Sequence, residues 1–190
     1  MLSTAQRWAL APCAILTRYN LDDPCVLGGM SPGDEVAEES RELLAEHWQI
    51  RNTERARWSL ARLFDRGHRA QFTAIRTTAT GTRAQRRFVK QHAGELGERS
   101  LIAWDLGRVA FVAGKAHLAG YLDEAEAWTA CFEAARILQR SLASWEQLGR
   151  EYLLGREFFF GVADASYHHV YRALVLEREG AWTLPWATPL

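Results

Sequence analysis

Residues 123–160, DEAEAWTACFEAARILQRSLASWEQLGREYLLGREFFF, decide the fold. Asp123 stands before a run in which Ala127, Trp128, Cys131, Ala134, Ala135 and Leu138 recur at helical spacing. An Asp there accepts a backbone N–H that the first helical turn leaves without a partner, so the spacing predicts a helix from Asp123 to about Ser141. Ser144 repeats the arrangement ahead of Leu148, Tyr152, Leu153 and Phe159, which predicts a second helix to about Phe160.

The same reading extends in both directions. Upstream, Ile102, Leu106, Val109, Ala110 and Ala113 form one stripe, predicting a single helix from Arg99 to about Ala119 with Gly120 as its stop. Downstream, Asp164 opens a last helix to about Glu179, and Pro185 keeps the tail AWTLPWATPL (181–190) out of helix, so it is expected to lie extended across the bundle. Toward the N-terminus, Ser3 or Thr4 caps a helix to about Tyr19, kinked or broken at Pro12. Asp34 caps another to about Trp48. Asn52 starts a third, with Trp58, Leu60, Ala61, Leu63 and Phe64 as its packing face and Gly67 at its end. Further helices are expected at 69–79 and 82–96. Residues 20–33, NLDDPCVLGGMSPG, form the one long loop, readable as a lid, a contact element or a surface connector. No segment alternates cleanly, no hairpin dipeptide occurs and no repeat is visible. The expectation is an all-α, single-domain globular bundle over residues 1–190, of about seven to nine helices and without significant sheet.

Composition narrows function less than it narrows fold. Lys plus Arg total 23 and Asp plus Glu total 23, so the formal net charge is zero. That speaks against a broad electrostatic footprint for nucleic acid or an anionic membrane. The stretch Arg76–Lys90 carries Arg76, Arg83, Arg86, Arg87 and Lys90 with no acid between them. It reads either as a phosphate or acidic-partner contact or as a solvated helix face. The three cysteines, Cys13, Cys25 and Cys131, lack framework spacing and fit reduced thiols. No secretory leader or membrane-length apolar run is apparent, and the expected location is the cytoplasm. Eight Trp are many for this length, and Trp anchors cores and contact surfaces.

Four groups could carry chemistry. In AWDLGR (103–108), Asp105 and Arg108 are three apart on a helix, and Trp104 and Arg108 four apart, so the carboxylate can reach the guanidinium and the indole can stack on it. Gly107 suggests close approach of another helix. The group is either a pocket wall or a buried ion pair. In SWEQLGREYLLGR (144–156), Trp145, Tyr152 and Arg156 fall near one face, as an anion clamp or a core polar network, and Gly149 and Gly155 invite tight packing. His68 in GHR (67–69) sits at a helix end, where it is an acid, a base or a structural turn residue. His168 and His169 point about 100 degrees apart on a helix, which suits no shared metal. Glu126 lies at a helix start and could reach Arg108 or Arg156. No nucleotide, nucleophile-elbow or zinc motif occurs, and neither cofactor nor metal is expected.

AWDLGR (103–108), AGYLDEAEAW (119–128), SWEQLGREYLLGR (144–156) and WTLPW (182–186), with GHR (67–69), Trp48 and Ile50 upstream, resemble the bacterial family called domain of unknown function 1266 (DUF1266). The resemblance covers most of 48–186, and residues 1–35 are less typical. It implies a small bacterial cytoplasmic protein and no particular activity. The candidate ligand-binding residues are His68, Trp104, Asp105, Arg108, Glu126, Trp145, Tyr152 and Arg156. Three readings follow. The first is a non-enzymatic binding or protein-interaction module, regulatory or toxin-neutralising. The second is a ligand-binding protein or enzyme acting on a small anionic molecule through the Asp/Arg/Glu/Tyr set. The third, nucleic-acid binding through Arg76–Lys90, is disfavoured by the neutral total.

Overall fold

A computed structural model describes residues 2–190, and the described chain holds no strand. Helices α1 (Thr4–Leu10) and α2 (Ala14–Tyr19) are parted by a 3-10 turn, Ala11–Cys13, where Pro12 removes a backbone donor. There follow α3 (Asp34–His47), α4 (Thr53–Asp65), α5 (Arg69–Thr78), α6 (Arg83–Leu96), α7 (Ile102–Leu106), α8 (Val109–Leu118), α9 (Glu124–Ser141), α10 (Trp145–Phe160) and α11 (Ala165–Leu176). Eight of these, α3–α6 and α8–α11, have ten residues or more, within the seven to nine expected. Asn52, Thr82, Asp123, Ser144 and Asp164 each cap the following helix by accepting a backbone N–H.

At the centre lies α8. It is apolar on every side and nearly all of its residues are buried, the mark of a helix enclosed by others. It packs against α3, α4, α9 and the 3-10 turn Leu27–Gly29 of the long loop. That loop is a fixed connector. Lys115, buried in α8, pairs with Asp22 at 2.9 Å and ties the loop to the core.

The single helix expected over 99–119 is two helices, α7 and α8, broken at Gly107–Arg108. A Cβ on Gly107 would stand 3.1 Å from Tyr152 Cδ2, so α10 presses on the break. The Arg108 side chain also displaces its own backbone. Its Nε donates to the Trp104 carbonyl at 2.8 Å, while its amide turns to Asp105 O at 3.5 Å. Trp58 is likewise no part of a packing face. Ala56, Leu60 and Leu63 form the buried stripe of α4, and Trp58, nearly opposite, is 52% exposed.

The tail packs on the bundle but, against expectation, is not extended throughout. Trp182 and Trp186 join Trp8 and Trp145 in a cluster, with Trp8 and Trp145 ring centres 4.7 Å apart. The four indole N–H groups donate to carbonyls of Pro185, Ala11, Leu184 and Leu142. A short 3-10 turn, Ala181–Thr183, precedes Pro185.

Gly94 sits inside α6 with nothing within 4 Å of where a Cβ would stand. Gly94→Ala is expected to stabilise the protein by about 0.5–1 kcal/mol, because alanine narrows the unfolded ensemble without meeting a neighbour. Urea denaturation checks this, and a lowered midpoint would contradict the open environment described.

Candidate functional site

Two of the sequence groups meet face to face. The turn between α4 and α5 carries Gly67 and His68, with Arg69 opening α5, and it folds over Asp105 of α7. The first backbone amides of α5 lack a side-chain cap of their own. The Asp105 carboxylate supplies one from outside: Oδ1 accepts the His68 N–H at 2.8 Å and Oδ2 the Arg69 N–H at 3.0 Å. Gly67 is required at this contact. Its φ is +42°, and a Cβ there would overlap the Asp105 carboxyl.

Asp105 is fully buried and serves three side chains as well. Arg108 Nη2 lies 3.3 Å from Oδ1, Arg69 Nη1 lies 3.4 Å from Oδ2, and His68 Nδ1 is 3.2 Å from Oδ1. Burial pushes its carboxyl pKa up, but the Arg108 charge and the His68 and Arg69 backbone amides act against it, and the group is held below the usual carboxylate range. Arg69 continues the network by donating to the carbonyls of Leu63 and Phe64, the end of α4. Arg108 is 6% exposed, and its guanidinium lies 4.0 Å from the centre of the Trp104 ring and 5.4 Å from that of Trp48.

Above this network opens a cleft of about 740 Å3. Trp104, Arg108 and His68 form its floor. Its walls come from the ends of α2, α3 and α10, from α11, and from one face of α4. Arg55, Arg62, Arg108 and Arg156 line it, against one carboxylate, Glu46. Asp105 offsets Arg108, and Asp164, 2.6 Å from Arg156 Nη2, offsets Arg156. Arg55 and Arg62 form no ion pair among the described residues; both lie 5.5 Å from the Trp58 ring centre. Arg156 sits between the rings of Phe160 and Tyr167, at 4.7 and 4.1 Å. Trp58, Phe159, Phe160 and Tyr19 leave aromatic surface open around the mouth.

Of the residues singled out from sequence, His68, Trp104, Asp105, Arg108 and Arg156 come together here. Tyr152 lies directly beneath, fully buried, its ring 5.0 Å from Trp104 and its hydroxyl without a partner, and burial raises its phenol pKa well above the ordinary value. Two others lie elsewhere. Glu126 completes the cap of α9 with Asp123 and pairs with Arg57 at 2.6 Å, reaching neither Arg108 nor Arg156. Trp145 belongs to the tail cluster and donates to Leu184 O at 2.7 Å. In the basic stretch, Arg76 is tied to Gly97 O and Glu98, and Arg86 to Gly81 O. No group of three or more His, Cys, Asp or Glu among the described residues is placed to hold a metal.

Trp48, Trp58, Arg55, Arg62, Phe159 and Phe160 are among the cleft residues that the sequence did not mark as site candidates; Trp58 and Phe159 read there as packing positions. One signal for them was present: Arg55, Trp58 and Arg62 fall at i, i+3 and i+7, a cation–aromatic stripe on the polar side of α4.

A family model described as "Protein of unknown function (DUF1266)" matches residues 43–186, which span every part of the cleft except the end of α2. No curated protein and no solved structure matches the chain.

Proposed function

The chain belongs to the DUF1266 family, and we propose that its cleft binds a small anionic molecule. The observation that carries this reading is the lining: four arginines, two of them without a carboxylate partner, stand against one glutamate in a cleft of ligand size. A positive, aromatic-walled concavity in a protein of zero net charge concentrates anions locally without making the whole surface basic. Arg108 and Arg156 are pre-set by Asp105 and Asp164, so binding costs little side-chain entropy there. The proposal is one of binding, in a bacterial cytoplasmic protein. Three cysteines free of disulfides support that compartment, and no described helix is long and apolar enough to cross a membrane.

A thermal-shift screen of phosphorylated and carboxylated metabolites, followed by calorimetry, tests the reading. At least one anion is expected to raise the melting temperature. The double variant Arg55→Ala/Arg62→Ala should weaken that ligand about tenfold, since it removes the two unpaired positive charges of the cleft wall and with them much of the local field. Both residues are exposed, so the variant should fold like the parent. If no anion shifts the melting temperature at millimolar concentration, the proposal falls.

A second reading, a surface for a partner protein, draws support from Leu21, Val162 and Leu176, which are exposed apolar residues outside the cleft. Charge substitution at these three should then leave anion binding intact while abolishing the partner contact.

A further inference from the structure

An ionised carboxylate offers about four lone-pair positions. At Asp105 all four are taken before the imidazole is considered. Oδ1 receives the His68 amide and Arg108 Nη2, and Oδ2 receives the Arg69 amide and Arg69 Nη1. His68 Nδ1 also stands 3.1 Å from Arg108 Nη2, a group that only donates. Nδ1 is therefore the acceptor of an Arg108 hydrogen, and the ring proton sits on Nε2. That nitrogen makes no hydrogen bond to the described chain, and its ring lines the cleft.

The rest of the floor has the same polarity. Arg108 spends Nε on Trp104 O and Nη2 on Asp105 and His68, which leaves the hydrogens of Nη1. Trp104, 96% buried, keeps its indole N–H without a partner, and Arg156 keeps its Nε–H. Four N–H groups of cleft residues thus await acceptors. Trp104 Nε1 and Arg156 Nε are buried and therefore unmatched at a cost, whereas His68 and Arg108 line the cleft, where a bound acceptor can meet the hydrogens they keep. The walls are of another kind. Trp58, Phe159 and Phe160 expose half or more of their surface around one opening, more apolar ring than a solvated groove of this size carries without a purpose.

We propose that the ligand joins a compact anion to a planar ring, the chemistry shared by nucleoside monophosphates and aromatic carboxylic acids. The anion accepts hydrogen bonds from His68 Nε2 and Arg108 on the floor, with Arg156 beside them. The ring stacks against Trp58 and the Phe159–Phe160 pair at the mouth. His68 donates from Nε2 and so selects ligands that present an acceptor. This inference rests on the anion-binding reading and adds the ring and the donor role of His68.

Calorimetry on the full chain with six probes tests it: AMP and indole-3-carboxylate carry both parts, inorganic phosphate and acetate only the charge, adenosine and indole only the ring. The ring-bearing anions are expected to bind at least about tenfold more tightly than any single-part probe, since the stacked ring adds its own contribution to that of the anion. The tighter of AMP and indole-3-carboxylate identifies the source of the anion. Trp58→Ala, at an exposed position that leaves the fold intact, should lower the affinity of that compound about tenfold. His68→Phe, which cannot donate, should lower it by a similar factor. Phosphate or acetate binding within threefold of the ring-bearing anions would overturn the ring while sparing the anion reading. Adenosine or indole binding equally well, or no probe binding at all, would overturn both. Tight binding retained by His68→Phe would overturn the donor role alone.

Discussion

Asp105→Asn is expected to lower the unfolding free energy by about 3–5 kcal/mol, the range for removing one partner of a buried ion pair. The carboxylate is fully buried and receives four hydrogen bonds besides facing His68. An amide supplies one oxygen and turns an N–H toward donors. Arg108, 6% exposed, would be left as a buried cation with no counter-charge. Two amides at the start of α5 would lose half of their cap. Acid should narrow the gap between parent and variant. The folded pKa of Asp105 lies below its unfolded value of about 3.9. Its contribution is therefore complete above that value and is lost as pH falls through the folded pKa. Urea midpoints at pH 7 and near pH 3 give the test. A variant within 1 kcal/mol of the parent at pH 7 would mean that Arg108 finds another partner and the network is not what holds this corner.

Gly155→Val is expected to cost about 3 kcal/mol or more, at the upper end for overpacking a closed contact. A Cβ at Gly155 would overlap the Cβ of Trp104, so α7 and α10 touch with no side chain between them. Neither side can yield cheaply. Trp104 is held from behind by the Tyr152 ring and from above by Arg108. Forcing the helices apart should also tilt the indole out of the cleft floor, so ligand affinity should fall with stability. Gly94→Ala, of the opposite sign, is the internal control for glycine replacement in a helix. If Gly155→Val unfolds at the parent's urea concentration, the close approach of α7 to α10 is wrong.

These two positions show what could be read from sequence. Asp105 with Arg108, and Trp104 with Arg108, were legible because helical spacing of three and four fixes neighbours without knowledge of the fold. Capping residues marked most helix starts for the same reason: Asp123 and Ser144 act within their own first turn. The meeting of GHR with Asp105 was not legible, because it spans 37 residues and depends on how α4 and α7 pack. Arg55, Trp58 and Arg62 were visible as a stripe, yet an exposed stripe becomes a cleft wall only when α2, α3 and α10 close the other sides. Glu126 went the other way. Its role as a local cap partner was in reach, whereas its ion pair with Arg57, 69 positions away, was not. Helix α7 stopped short because the Arg108 side chain competes for the Trp104 carbonyl, an event that no periodicity records.

The tryptophan cluster has a consequence for the order of events during synthesis. Trp8 reaches Pro185 O, and Trp182 reaches Ala11 O, across 177 and 171 positions of chain. Translation delivers residues at about 5–20 per second, so the first helix waits on the order of ten seconds or more for the segment that covers it. Through most of that interval Trp8 lacks every ring that buries it in the folded chain, because Trp145 and Trp186 are themselves still to be made. Burial of Trp8 should therefore wait for Trp186, not for formation of any single helix.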